Sequence, residues 1–526
     1  MENLFLRNIT RHNTVTENGA ISNSSTGNIF VDEFSKAPLY RNRAYRDVCN
    51  DQSLLWDINP LMSMRFIFYL RMITRKVKIS NEFVTEKTQT GQGVRDEVFK
   101  RLLWVAENHK DAFIKSIWVL PLVGSWKDIW MLMFYDKQLG VNAIDKKVMF
   151  ELLKEGLRHS EHSELIKKFM PRIKSSSKLT TDWTKTTNEL AIEFASYIGL
   201  SIKQYNKFKA NGTAHDFQKI ICSRRFNEIN WNLIPGKALS LLVNSNFITK
   251  HYLTDSYTEW LEKQPVAKFT GYVYELGKIF HESYGHLPLF KKHTLNKQFQ
   301  SLIEKAKENG KITSNVWCAL DTSGSMGIGT SAGVTALDIC TSLGVYFSTL
   351  NEGAFHKNVI MFDNTSRIKQ LSGDFCDMMS QIPYNAMGGT NFMSVVNEIV
   401  RVRRANPNIP LSDFPKTLLI VSDMQFNPVN GNVQTNYEAM KNKLYAVFPK
   451  EFVDDMKFVW WNVTERLCDF PSQISDGGTY MLGGLDGAVI SLLLGEEVEK
   501  KEKPKMSMID LVNEALNQEI LAMVEI

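Results

Sequence analysis

The 526-residue chain is poor in features that would assign it to a redox, zinc, membrane or hydrolase class. Its six cysteines (Cys49, Cys222, Cys318, Cys340, Cys376, Cys468) are scattered, with no C-x-x-C pair. That argues against a disulfide framework or a zinc site and for a reducing compartment. Cys318 and Cys340 fall on apolar faces and read as small buried hydrophobes. No apolar run reaches membrane-span length; the nearest, 117–134, is broken by Pro121, Lys127 and Asp128. The start, Met1-Glu2-Asn3-Leu4-Phe5-Leu6-Arg7-Asn8, lacks the apolar core of a signal peptide. A soluble cytoplasmic protein with no membrane partner is expected. No P-loop, G-x-S-x-G or H-E-x-x-H occurs, and the ten histidines form no metal spacing. His281-Glu282 with His286 is one residue too long for a zinc helix and reads as surface. The expectation is that the protein is not an enzyme.

A hydrophobic content of 44% and a charged content of 23% describe an ordinary globular chain with room for two to four domains. Its net charge of +5 is unevenly shared. From Lys311 onward there are 17 Lys and Arg against 25 Asp and Glu, a balance of −8. The residues before it carry 45 against 32, a balance of +13, which points the basic part toward a polyanion. Residues 1–39, rich in Asn, Thr, Ser and Gly, read as a flexible arm or a segment ordered only by a partner. From 40 to 310 apolar residues recur at three- and four-residue steps with no convincing strand, which suggests a HEAT-like helical array.

Asp321-Thr322-Ser323-Gly324-Ser325 closes the apolar run Val316-Trp317-Cys318-Ala319-Leu320. In extended geometry alternate residues share a side, so Asp321, Ser323 and Ser325 converge where the chain leaves the strand. An all-oxygen cluster suits a hard divalent cation, Mg²⁺ or Mn²⁺. Gly388-Gly389-Thr390-Asn391-Phe392 and Thr417-Leu418-Leu419-Ile420-Val421-Ser422-Asp423 add another hydroxyl and another strand-end carboxylate. These three segments resemble the metal-ion-dependent adhesion site (MIDAS) of von Willebrand factor A (vWA) domains. The resemblance implies direct ligation by Ser323, Ser325 and Thr390, with Asp321 and Asp423 acting mainly through water. It also implies an open coordination position for the carboxylate of a protein partner. Asn391 departs from the carboxylate expected after the Thr in related proteins, which leaves the metal charge less compensated. Asp363, at another strand end, reads as a turn former. Strands at 316–320, 358–362, 417–421, 457–463 and 479–482 alternate with helical patterns at about 331–350, 373–383, 391–404, 434–446, 486–494 and 507–523. That is the pattern of a doubly wound parallel-sheet α/β domain over 311–500, with a C-terminal helix in 501–526 packing on the vWA or helical domain.

The helical front carries the phrases Gly91-Gln92-Gly93-Val94-Arg95-Asp96, Gly124-Ser125-Trp126-Lys127-Asp128, Lys168-Phe169-Met170-Pro171-Arg172 and Ile234-Pro235-Gly236-Lys237-Ala238-Leu239-Ser240. With Ser422-Asp423-Met424-Gln425-Phe426 behind them, they resemble the TROVE-module proteins of the Ro autoantigen family, and more closely a TROVE-like plus vWA relative. The resemblance implies a ring-shaped array that binds structured RNA or single-stranded RNA ends as a ribonucleoprotein. Carried onto this chain, the RNA contacts are Arg71, Arg75, Lys76 and Lys78; Arg95, Lys100 and Arg101; Lys167, Lys168, Arg172 and Lys174; Arg224, Arg225 and Lys237. Trp126, Phe169 and Trp231 are interleaved aromatics, which at helical spacing read first as core. The competing reading is a structural or assembly protein, a virus or phage particle component, which uses the vWA face for protein contacts.

Overall fold

The computed structural model describes residues 14–81, 83–210, 216–308, 315–330, 333–384, 386–429, 434–465, 469–485 and 506–526. The helical pattern expected at 486–494 lies outside them. Two compact units emerge, one of residues 1–41 with 234–515 and one of 42–233 with 516–526. The first limit, after residue 41, lies within two residues of the one expected at 40, whereas the next, at 234, replaces the one expected at 310.

The first unit is built on a sheet of order β10-β9-β8-β5-β6-β7. The strands are β5 (Val316–Asp321), β6 (Asn358–Phe362), β7 (Ser366–Gln370), β8 (Thr417–Ser422), β9 (Lys457–Asn462) and β10 (Thr479–Gly483). All pair in parallel except β7, which turns back antiparallel on β6 and was not anticipated. Every residue of β5 and β8 is buried, as central strands covered on both faces must be. The chain runs outward from β5 to β6 and then crosses to β8 on the other side of β5. The carboxyl ends of β5 and β8 therefore flank a topological switch point, where such sheets place ligands.

The helices at 234–308 belong to this unit rather than to the basic one. Phe299 from the helix Leu289–Glu308 stacks on Phe375 at 4.6 Å, and Lys292 pairs with Asp377 at 2.9 Å. His281, expected at the surface, is buried: its Nδ1 meets Asp338 at 2.7 Å, and its ring stacks on Tyr384 at 3.7 Å.

The N-terminal arm is part of the unit as well. Strands β1 (Thr14–Val15) and β2 (Ile21–Ser22) form a hairpin, and Asn28 caps the helix Ile29–Lys36 by accepting from Phe30 and Val31 N–H. Phe30, Val31 and Phe34 are buried, and Ser35 Oγ donates to Met481 O of β10 at 2.9 Å. The expectation of a flexible arm is corrected from residue 14 onward. Apolar residues spaced along a low-complexity stretch are enough to dock it once a sheet edge is present.

The second unit is helical between Tyr45 and Cys222, around a core that includes Phe66, Phe68, Tyr69 and Trp130. One feature departs from the all-helical expectation. Strands β3 (Arg75–Asn81) and β4 (Phe83–Gln89) form an antiparallel ribbon. Their alternation is polar enough to hide a period of two, and no Asn-Gly or Asp-Gly pair marks the turn. The tail joins this unit, with Gln518 bonded to Thr90 and Ser116 Oγ to Glu525 O.

Candidate metal centre and basic surface

Parallel pairing of Leu320 with Val421 brings the ends of β5 and β8 side by side, so Asp321 and Ser422 come next to one another. Ser422 Oγ donates to Asp321 Oδ2 at 2.5 Å and accepts from Met424 N–H at 3.0 Å. Asp321 Oδ1 accepts from Ser323 N–H at 2.9 Å, which folds the loop so that Ser323 Oγ and Ser325 Oγ stand 3.3 Å apart. The second loop is tied to the first by Gly324 N–H donating to Gly388 O at 3.1 Å. It is tied to the third by Asn427, which accepts from Thr390 N–H at 3.2 Å and donates its own N–H to Thr390 O at 2.9 Å. Underneath, Phe392, Phe426 and Trp460 pack with ring centroids 5.2–5.6 Å apart. These rings follow Thr390 and Asp423 by two and three residues and anchor both loops on β9. Met424, with φ of +64°, holds a left-handed backbone unusual for its residue type, where the chain turns off β8 behind Asp423.

The structure thus gathers all five expected residues at one end of the sheet. Asp321, Ser323, Thr390 and Asp423 are buried and Ser325 is half-buried. Burial, together with the nearby Asp423 charge, pushes the Asp321 carboxyl up to about 7. A divalent cation would relieve both causes, since it replaces lost hydration and separates two like charges. Oxygens on neighbouring vertices of a Mg²⁺ octahedron, with bonds of about 2.1 Å, lie about 3 Å apart, close to the serine hydroxyl spacing. The donor set fits Mg²⁺ or Mn²⁺. Among the described residues no three His, Cys, Asp or Glu side chains converge, here or elsewhere, so the centre has two carboxylates and otherwise hydroxyl oxygens. Asp363 closes the β6–β7 turn by accepting from Thr365 N–H at 3.0 Å and pairing with Arg367. Cys318 and Cys340 are buried, and burial pushes the Cys318 thiol up to about 12.

Ser422, Asn427, Asn364 and Gln425 were not anticipated. Asn364 receives Gly389 N–H at 2.8 Å on its Oδ1. Ser422 had a weak signal in its place beside Asp423. The others depend on strand register and loop closure, which no local pattern carries.

The basic residues divide. Arg71 is buried against Asp128, Nη2 to Oδ2 at 2.6 Å. Arg101 is buried on Glu97 at 2.9 Å, and Lys100 pairs with Asp96 at 2.7 Å while donating to Arg43 O. These three are corrected from RNA contacts to internal ion pairs. Apolar neighbours at helical spacing carried them inward, where only pairing makes burial tolerable. The phrase around Gly124 serves the same pair: a Cβ there would meet Asp128 Oδ2 at 2.2 Å, and Ser125 N–H donates to that oxygen at 2.8 Å. Trp126 and Trp231 are core. Arg225 pairs with Glu228 at 2.8 Å, and Lys237, paired with Glu275, lies in the other unit. Arg95 and Arg224 are exposed, and Arg75, Lys76 and Lys78 lie on β3.

Lys167, Lys168, Arg172 and Lys174 are brought together. Asn206 clamps the loop by accepting from Ile173 N–H at 3.1 Å and donating to Ile173 O at 3.0 Å. Tyr205 Oη donates to Pro171 O at 3.0 Å, so the helix Ile202–Ala210 and this loop form one surface. Lys209 reaches the carbonyls of Lys167 and Lys168 at the end of the helix Ser160–Phe169. Burial and the Arg172 charge hold its ammonium below the usual lysine range. Between 165 and 181 there are five Lys and Arg and no Asp or Glu. Lys167 lies 4.8 Å over the Phe208 ring and Lys168 5.5 Å over Phe169, so aromatic faces are part of the cluster.

No helix among the described residues is long and apolar enough to cross a membrane. Residues 315–522 match a family described as a Domain of unknown function (DUF7788). The chain is 20% identical over 527 residues to "Uncharacterized protein L728" of Acanthamoeba polyphaga mimivirus, an alignment covering 92% of this chain and 84% of that protein. Among solved structures it is similar to the Deinococcus radiodurans RO (RSR) protein, with a TM-score of 0.42 and 12% identity over 75% of this chain and 85% of that one.

Proposed function

We propose that this protein is a non-catalytic RNA-binding protein of Ro type whose vWA-like unit docks an acidic protein segment through Mg²⁺ or Mn²⁺. The RNA half rests on the cluster of Lys167, Lys168, Arg172 and Lys174. A like-charged pair, Arg172 and Lys209, is held together there, on a stretch without an acid from 165 to 181. A solvated face that only kept the protein soluble would mix both signs, and a phosphate backbone is the ligand that relieves such repulsion. Phe169 and Phe208 beside the lysines offer faces for unstacked bases, which suits single-stranded RNA. The docking half is supported by the gathered oxygens of Asp321, Ser323, Ser325, Thr390 and Asp423. Exposed Ile328 and Met387 on the same loops add an apolar rim such as a protein partner covers. A metal held largely by hydroxyls activates water poorly, which is why docking is preferred to hydrolysis.

Two titrations test the reading. Single-stranded RNA should bind with an affinity that falls steeply with salt, and the RNA should come back intact. Mg²⁺ should give a calorimetric signal that Asp321→Ala abolishes. Salt-insensitive or absent RNA binding, in a protein purified free of nucleic acid, sinks the RNA half. The assembly-protein reading then takes its place, and the mimivirus relative aligned over 92% of the chain favours that alternative.

A further inference from the structure

The hairpin of residues 14–22 lies on the loops of the metal centre within its own unit, and the proposed function leaves it without a role. Its turn, Thr16-Glu17-Asn18-Gly19-Ala20, is closed by Gly19 N–H to Thr16 O and Thr16 N–H to Ala20 O, both 2.8 Å. Thr16 Oγ1 donates to Phe426 O at 2.8 Å and Glu17 N–H to Gln425 Oε1 at 2.6 Å, which fastens the turn to the loop behind Asp423. The Asn18 amide then donates to Gln425 O at 2.5 Å, and the same nitrogen stands 3.4 Å from Thr390 Oγ1.

An amide nitrogen carries two N–H groups. The Gln425 carbonyl takes one, and 3.4 Å is too long for Thr390 to satisfy the other fully. Asn18 is exposed whereas Thr390 is buried, so this donor stands on the solvent side of the hydroxyl. Four backbone donors of the loops are already spent: Gly324 N–H on Gly388 O, Gly389 N–H on Asn364, Thr390 N–H on Asn427 and Gln425 N–H on Asp423. A carboxylate that meets a cation through one oxygen keeps charge on the second, which a hydrogen-bond donor stabilises. With Thr390 about 2.1 Å from a Mg²⁺ or Mn²⁺ ion, Asn18 Nδ2 lies at most about 5.5 Å from that ion, within reach of such an oxygen. We propose that Asn18 selects the carboxylate partner: its amide donates to the second oxygen of the docked acidic side chain while the cation holds the first. The hairpin thereby supplies a donor that those four loop amides cannot. The inference rests on the docking reading of the metal centre.

Full-length protein with Mn²⁺ as the metal probe and acetate as the carboxylate probe separates these claims. Electron paramagnetic resonance follows the metal, and pulsed measurements in D₂O count its bound waters. Wild-type protein should bind Mn²⁺, Asp321→Ala should not, and acetate should displace one bound water from the wild type. Asn18→Ala should keep its Mn²⁺ affinity within about twofold and bind acetate about tenfold more weakly, the loss of one charge-assisted hydrogen bond. Asn18→Asp cannot donate and adds a like charge, so acetate should bind it more weakly still. Acetate affinity equal to wild type in either variant overturns the inference while the metal reading stands. A parallel loss of Mn²⁺ and acetate affinity in Asn18→Ala does the same, because it makes Asn18 only a fastener of the hairpin. Acetate that displaces no water from the wild type removes the docking reading and the inference with it. Absent wild-type Mn²⁺ binding, or binding unaffected by Asp321→Ala, removes the metal reading as well.

Discussion

Asp321 is fully buried beside a second carboxylate, and its pKa moves from the ordinary 3.8 to about 7. The folded value exceeds the unfolded one, so the folded protein holds this proton more tightly. Its stabilising contribution is fully present below 3.8 and is lost as pH rises toward 7. In chelator, the unfolding temperature of the sheet-bearing unit should therefore fall across that window, and Asp321→Asn should flatten the fall. Mg²⁺ binds the ionised form, so its affinity should rise over the same interval. A calorimetric pH series in which neither trend appears rejects the buried-pair account. Arg71 and Asp128 make the contrasting case of opposite charges buried together. Arg71→Ala strands a carboxylate in the core and should cost about 3–5 kcal/mol in denaturant unfolding. Arg71→Met with Asp128→Leu should restore most of it, and a single variant as stable as wild type would contradict the pairing.

At the scale of elements, helix ends and clamped loops collect the cationic side chains. The helix Ser160–Phe169 ends in Lys167 and Lys168, whose carbonyls take the Lys209 ammonium; cations there suit the negative end of the helix dipole. Lys167→Gln, Lys168→Gln and Arg172→Gln together remove charge without placing acids at a helix end. That variant should bind single-stranded RNA more weakly, and the slope of log affinity against log salt should shrink by about 2. An unchanged slope in filter binding would take these residues out of the RNA site. The β3–β4 ribbon and the hairpin at 14–22 are elements of another kind. Each depends on pairing between segments whose own propensities are weak.

Across the whole molecule, charge and chemistry are divided between the two compact units. The centre at Asp321 and the cluster at Arg172 belong to different units, so their effects should be separable. Asp321→Ala should leave RNA affinity within about twofold, since it removes no cation from the Arg172 cluster that would meet the phosphates. Likewise the triple Gln variant should leave Mn²⁺ binding unchanged. Strong coupling in either direction, measured in paired titrations, would show that the sites are not independent.

The sheet was legible because buried parallel strands are short, continuous apolar runs. All five expected strands begin and end within one residue of those found. The five residues expected to hold a metal lie together in the fold because each stands at a strand or loop end on the same edge of the sheet. Strand register, however, is a property of pairs, so only the folded sheet put Ser422 on Asp321. Burial is likewise a property of neighbours. Arg71, Lys100 and Arg101 look like surface cations in sequence, and only packing turned them inward onto carboxylates. The same holds for residues 14–41 and 234–308: no local signal says which core a segment will join. The apolar area and backbone partners that decide it lie hundreds of residues away along the chain, as Thr16 against Phe426 shows.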